Sequence, residues 1–187
     1  LVFAQRGTQR DELAIQIALR DGIAVYKGQC PYPRAHERLR RIRADAADIA
    51  PECACEAADF FYDEKTADMF DLSRYDYIAD CIDSVKNKIL LISRARAAGV
   101  PVISCMGAGN KTDGGAFKVA DIEKTRECPL AKIVRRELKK AGVSGVKAVY
   151  SEEKPLVPDR NGARDGEKFI GSISFVPSAA GLLLAGE

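Results

Sequence analysis

Two short stretches, and the length of chain between them, constrain the fold more than anything else in the sequence. Residues 75–83 read Tyr-Asp-Tyr-Ile-Ala-Asp-Cys-Ile-Asp, and residues 100–110 read Val-Pro-Val-Ile-Ser-Cys-Met-Gly-Ala-Gly-Asn. Each is an apolar strand-like run that ends in small or acidic residues. Residues 84–98 between them predict a helix: Ser84 is a good N-cap, Val85, Ile89 and Ile92 recur at helical spacing, and Gly99 suits the stop. A strand–helix–strand unit of this kind crosses over right-handed and leaves both strands ending on the same sheet edge. Open α/β sheets bind their ligands at that edge. Asp83 and the loop Gly107 to Asn110 are therefore candidate neighbours.

The rest of the chain extends the same pattern. Helices are expected over 11–21 and 34–50, with short strands at 23–26 and around 53–57, and a short helix near 66–70. Phe117 opens a strand to 122, and Pro129 opens an amphipathic helix carrying Leu130, Ile133, Val134 and Leu138 up to Gly142. A strand at 146–150, a polar mobile loop over 151–168, a strand at 170–176 and a helix from Pro177 complete the expectation. The fold class is α/β: a Rossmann-like mixed sheet flanked by helices, in a single domain over 1–187.

Composition removes several function classes. Of 187 residues, 47% are apolar and 30% charged, with a formal net charge of +2, so charge balance alone marks neither a nucleic-acid binder nor an acidic tail. No apolar run approaches the ~20 residues that span a bilayer, and residues 1–4 are too short for a secretory leader. Cys30, Cys53, Cys55, Cys81, Cys105 and Cys128 form no CxxC pair, and most sit in apolar segments. A reducing cytoplasm without disulfides is expected. His36 is the one histidine, which argues against histidine metal clusters and a Ser-His-Asp triad.

Four features could carry chemistry, each with a plainer alternative. Asp83, just past a buried strand, can hold Mg²⁺ on a nucleotide's phosphates or simply cap the next helix. Asp80, inside that strand, reads as a structural carboxylate. Lys86 and Lys88 sit in the first helical turns, where the helix dipole disfavours cations; either a phosphate lies nearby or they are surface lysines. Cys128, before Pro129, falls at a helix N-cap, a position that favours a reactive thiolate, although a passive thiol fits as well. The arginines at 34, 38, 40, 41 and 43 form either a solvated face or a phosphate-facing cluster.

From about residue 43 onward the chain resembles the ThiF/MoeB/HesA superfamily, relatives of the ubiquitin-activating enzymes, and within it the tRNA threonylcarbamoyladenosine dehydratase branch. The likeness rests on Ile-Ala-Pro-Glu-Cys at 49–53, the 75–85 stretch with Lys88, and Pro-Val-Ile-Ser-Cys-Met-Gly-Ala-Gly-Asn at 101–110. It continues through Val-Ala-Asp-Ile at 119–122, Lys124-Thr125, Cys-Pro-Leu-Ala at 128–131, Val-Tyr-Ser-Glu-Glu at 149–153 and 171–181. The resemblance implies ATP-dependent adenylation of a carboxylate, with Mg²⁺, in a homodimer. The expected substrate is threonylcarbamoyladenosine in tRNA, which would be dehydrated to a cyclic form; the alternatives are a sulfur-carrier protein's C-terminus or a degenerate, non-catalytic member. Asp83 matches the family's Mg-ATP aspartate. The candidate site is then Asp83 and Cys128 as catalytic residues, with Asp83, Ser84, Lys86, Gly107, Gly109 and Asn110 on the nucleotide. The family's amino-terminal Gly-x-Gly-Gly-x-Gly loop is not legible in residues 1–50, so that phosphate-loop unit is missing or divergent.

Overall fold

The computed structural model describes residues 61–156 and 170–187, and the backbone of three short strands at 2–4, 22–24 and 55–57. The helices expected over 11–21 and 34–50, the arginine cluster, the question of the glycine loop and most of the 151–168 loop lie outside the described residues.

The strands are β1 (Val2–Ala4), β2 (Gly22–Ala24), β3 (Cys55–Ala57), β4 (Tyr77–Asp80), β5 (Val102–Cys105), β6 (Phe117–Asp121) and β7 (Lys147–Ser151). They form one mixed sheet in the order β3-β2-β1-β4-β5-β7-β6. β4, β5 and β7 are parallel, with Ile78 opposite Val102, Asp80 opposite Ser104 and Ser104 opposite Ala148. β6 closes this side antiparallel to β7, and β1 pairs antiparallel with β4. The strand–helix–strand unit read from the sequence is thus β4, α1 (Val85–Ala97) and β5.

Local chemistry explains where the helices begin and end. Ser84 has the extended backbone of an N-cap, and Gly99 has φ +77°, the left-handed turn that favours glycine after a helix. The Val100 N–H then bonds the Ala95 carbonyl at 2.9 Å, closing the last turn. The second helix, α2 (Pro129–Lys140), starts with proline at a position whose N–H would have no intrahelical partner anyway.

The β4-β5-β7-β6 part of the sheet is covered on both faces, as its near-continuous apolar strands require. On one face Ile78, Val102, Ala148 and Tyr150 meet Leu91, Ile92 and Ala95 of α1 and Ala131, Val134 and Leu138 of α2. On the other face Ile103, Phe117 and Val149 meet Val176, Ala180 and Leu184 of α3 (Phe175–Gly186). Adjacent residues of β5 and of β7 thus serve opposite cores, the period-two consequence of strand geometry.

One sequence expectation fails here. Residues 170–176 do not form a strand: residues 170–173 carry no regular secondary structure, and α3 already begins at Phe175. The apolar residues there belong to a helical stripe, Val176, Ala180 and Leu184, and Pro177 falls in the first turn, where it is tolerated. The backbone groups of Gly171 find a different partner from a strand ladder. The Gly171 N–H donates to Asn110 Oδ1 at 2.6 Å, and the Asn110 N–H donates to the Gly171 carbonyl at 2.8 Å. The Asn110 carbonyl accepts from Leu156 N–H at 2.7 Å. Asn110 takes φ +58° to make this clasp, a conformation asparagine tolerates better than most residues. Gly109 admits it: a Cβ there would lie 2.4 Å from Ile170 Cγ2.

Two stability measurements check this packing. Leu91, fully enclosed between α1 and the sheet, should lose about 2–5 kcal/mol on Leu91→Ala, read as a lower urea midpoint at unchanged slope. Gly109→Ala should destabilise by forcing Ile170 aside, and Ile170→Ala in the same chain should recover most of that loss. A strictly additive double-mutant cycle would show that the two side chains do not meet.

Candidate functional site

The carboxyl ends of β4 and β5 are built around a buried ion pair. Lys88 Nζ lies 2.6 Å from Asp80 Oδ2, and both side chains are wholly enclosed. Lys88 also donates to Ser104 Oγ at 3.3 Å and to the Cys105 carbonyl at 2.9 Å. Ser104 Oγ in turn donates to Asp80 Oδ2 at 2.5 Å, and the Ile82 N–H donates to Asp80 Oδ1 at 2.9 Å. The ammonium's three protons are met by three acceptors and both carboxylate oxygens by donors.

Asp80 therefore has the structural role its position in the strand implied. Lys88 corrects both readings offered for it. It is neither a surface lysine nor open to a phosphate, because its head group is enclosed and fully bonded. The signal was in the helix itself: Asn87, Lys88, Leu91, Ile92 and Ala95 form one buried stripe.

Asp83 stands three residues beyond Asp80 in the opposite environment. It is exposed, and among the described residues no donor bonds its carboxylate. It does not cap α1, where Ser84 is the N-cap residue, and Ser84's hydroxyl makes no cap bond either. Among the described residues, the start of α1 thus combines an available carboxylate with backbone N–H groups that no side chain caps. Lys86 is exposed and pairs with exposed Glu64 at 3.2 Å, a contact worth at most about 1 kcal/mol.

The loop after β5 divides into two parts. Gly107 is half-buried, and a Cβ at its position would come within 3.7 Å of Leu130 at the start of α2. Gly109 and Asn110 are occupied by the clasp on residues 170 and 171, so the backbone approach that glycine permits is used by the chain itself. Lys111, not singled out from the sequence, is buried and donates to the carbonyls of Ser151 at 3.1 Å and Glu153 at 2.8 Å. The Glu153 carboxylate accepts from the N–H groups of Thr112 and Asp113 and from the Thr112 hydroxyl. The Thr112 N–H first of all holds its carboxyl below the usual range.

Cys128 occupies the N-cap of α2 as its spacing implied, but it is enclosed in the core cluster. The residue is 4% exposed, which favours the passive alternative over a reactive thiolate. Burial pushes the Cys105 thiol up to about 12. No cluster of three or more His, Cys, Asp or Glu that could hold a metal occurs among the described residues. A metal at this edge would rest on Asp83 together with groups supplied by a ligand.

No protein-family model matches the chain. Individual proteins do. The chain is 39% identical over 157 residues to a tRNA threonylcarbamoyladenosine dehydratase of Bacillus subtilis, covering 78% of this chain and 62% of that protein. It is 31% identical to the Escherichia coli enzyme of the same name, covering 78% and 53%. It therefore spans about half to three-fifths of the length of these relatives. Among solved structures, Escherichia coli TcdA in complex with ATP matches with a TM-score of 0.66 at 27% identity, covering 80% of this chain and 60% of that one. HcgE from Methanothermobacter marburgensis shares the fold alone, at 14% identity and a TM-score of 0.61 over 92% of this chain and 86% of that one. By sequence and by fold, this chain is a relative of the tRNA threonylcarbamoyladenosine dehydratases, consistent with the ThiF/MoeB superfamily that its motifs resemble.

Proposed function

We propose that this chain provides the adenylating site of an enzyme that dehydrates threonylcarbamoyladenosine in tRNA. A carboxylate on the modified nucleoside attacks the α-phosphorus of ATP and pyrophosphate leaves. A nucleophile within the same substituent then displaces AMP, closing a ring with net loss of water. The observation that carries this reading is the exposed Asp83 at the carboxyl end of β4, which has no partner among the described residues, in a chain 39% identical to a protein of that name.

The residues present fit an Mg-nucleotide. Asp83 would hold Mg²⁺, which neutralises phosphate charge when bound. The uncapped N–H groups after Ser84 suit an anion. Lys86 would leave its weak pair with Glu64 to meet a phosphate. Gly107, beside the start of α2, is the part of the loop free for close approach. Gly109 and Asn110 shape that loop through their clasp rather than by touching the ligand, and Cys128 receives no catalytic role.

The homodimer that the family resemblance implies would bury apolar surface around α3. Ile170, Ile173, Phe175 and Leu182 are all exposed there, Ile170 at 72% and Phe175 at 56%. Among the described residues no helix is long and apolar enough to cross a membrane, in keeping with work on tRNA in the cytoplasm.

The test is AMP formation from ATP and Mg²⁺ in the presence of tRNA carrying the modified adenosine. Asp83→Asn should lower the rate by about a hundredfold or more while leaving thermal unfolding unchanged, since the side chain is exposed. An unchanged rate in Asp83→Asn removes the carboxylate from the site. AMP formation driven by a carrier protein with a Gly-Gly tail, and not by tRNA, moves the function to sulfur-carrier activation.

A further inference from the structure

Among the described ion pairs, only Lys88 with Asp80 has both side chains at 0% exposure. Its bonds reach beyond the pair. Through Asp80 Oδ1 it holds the Ile82 N–H, the turn that leads directly to Asp83. Through Lys88 Nζ it holds the Cys105 carbonyl, the last residue of β5 before Met106 and Gly107. Ser104 Oγ, between Lys88 and Asp80, closes the circuit from β5 to β4. The backbone atoms at the roots of the two candidate site segments are thus bonded to one enclosed charge pair.

A purely structural need would be met as well by apolar packing, since well-packed hydrophobic groups often replace a buried pair without loss of stability. What apolar groups cannot do is bond a main-chain N–H on one strand end and a carbonyl on the next. We infer that Lys88 is a positioning residue: its ammonium, through Asp80 and Ser104, fixes the Asp83 turn relative to the Gly107 loop and so sets the geometry of the adenylating site. It does so without touching phosphate, because its head group is enclosed. The inference rests on the adenylation reading for its effect on rate, but the backbone coupling can be measured without it.

The decisive variant is the double substitution Lys88→Met with Asp80→Leu, which removes both charges and with them the acceptor that Asp80 offers the Ile82 N–H. Amide exchange in the protein alone is the first readout. Exchange at Ile82 and across 106–108 should quicken at least tenfold, while Val134 and Leu138 in α2 keep their protection. Tryptic stability and thermal unfolding establish that the variant is folded. In the AMP assay, kcat should fall by about ten- to a hundredfold with KM for ATP changed less than threefold, the pattern of misplaced rather than missing contacts. Lys88→Arg, which keeps a cation beside Asp80, should retain more of kcat than the double variant.

Exchange at the two segments unchanged within twofold, or kcat unchanged in a folded double variant, overturns the inference. If the double variant does not fold, Ser104→Ala decides: it removes the bridging hydroxyl, keeps the ion pair, and should quicken exchange at both segments about threefold, no change being a refutation. If the unaltered protein forms no AMP, adenylation fails, and the exchange arm alone then judges the coupling.

Discussion

A lysine and an aspartate wholly enclosed by the protein govern how the edge of this sheet is built. Removing two charges from solvent costs several kcal/mol per ion, and their attraction offsets that only when the remaining hydrogen-bonding positions are filled. Lys88 and Asp80 fill them with local groups: the Ser104 hydroxyl, the Cys105 carbonyl and the Ile82 N–H. The requirement works in both directions. The pair is tolerable because β5, α1 and the end of β4 stand where they do, and those elements cannot shift without leaving a buried charge unmet. Loss of one partner alone would cost about 3–5 kcal/mol, comparable to emptying a large core position.

A second enclosed lysine does a related job one strand further along. Lys111 binds the Ser151 carbonyl, where β7 ends, and the Glu153 carbonyl just beyond it. Lys88 binds the Cys105 carbonyl, where β5 ends. Parallel strands leave carbonyl groups without ladder partners where the chain departs from the sheet, and buried ones must be satisfied. Here ammonium groups satisfy them. The same edge is then stiff at its roots, through Lys88 and Lys111, and open at its tips, at Asp83 and Gly107. Rigid support beneath accessible groups is the arrangement that a site needing accurate placement requires.

Much of this was legible in the sequence where a pattern had room to repeat. Residues 84–98 carried both a cap and a stop, and α1 lies where they point. The amphipathic stripe after Pro129 is α2, and Asp80's place inside an apolar strand foretold a paired carboxylate. Where the structure departs from the sequence pattern, a distant contact overrides a short local one. Lys88 looked like an ill-placed surface cation by the dipole argument, yet its true partner lies in a strand eight residues upstream. Residues 170–176 had a strand's apolar content, but the backbone of Gly171 bonds Asn110, sixty-one positions away, and the following residues follow α3's four-residue spacing. Cys128 was placed correctly on its helix, yet only packing could reveal that Ala131, Val134 and the rest of that core enclose it.

Asp80 and Asp83 show how one short motif separates structure from availability. Three residues apart, they differ by the turn that Asp80 itself holds through the Ile82 N–H. The first carboxylate is satisfied within the protein and has no capacity left for a ligand. The second is turned out at the sheet edge with no partner among the described residues, beside a helix start that its own N-cap hydroxyl leaves unbonded. The placement of Asp83 depends on the buried carboxylate upstream, so the structural acid and the available one form a single device. Exchanging their roles would require Lys88 to follow, and the helix that carries Lys88 is fixed by the core beneath it.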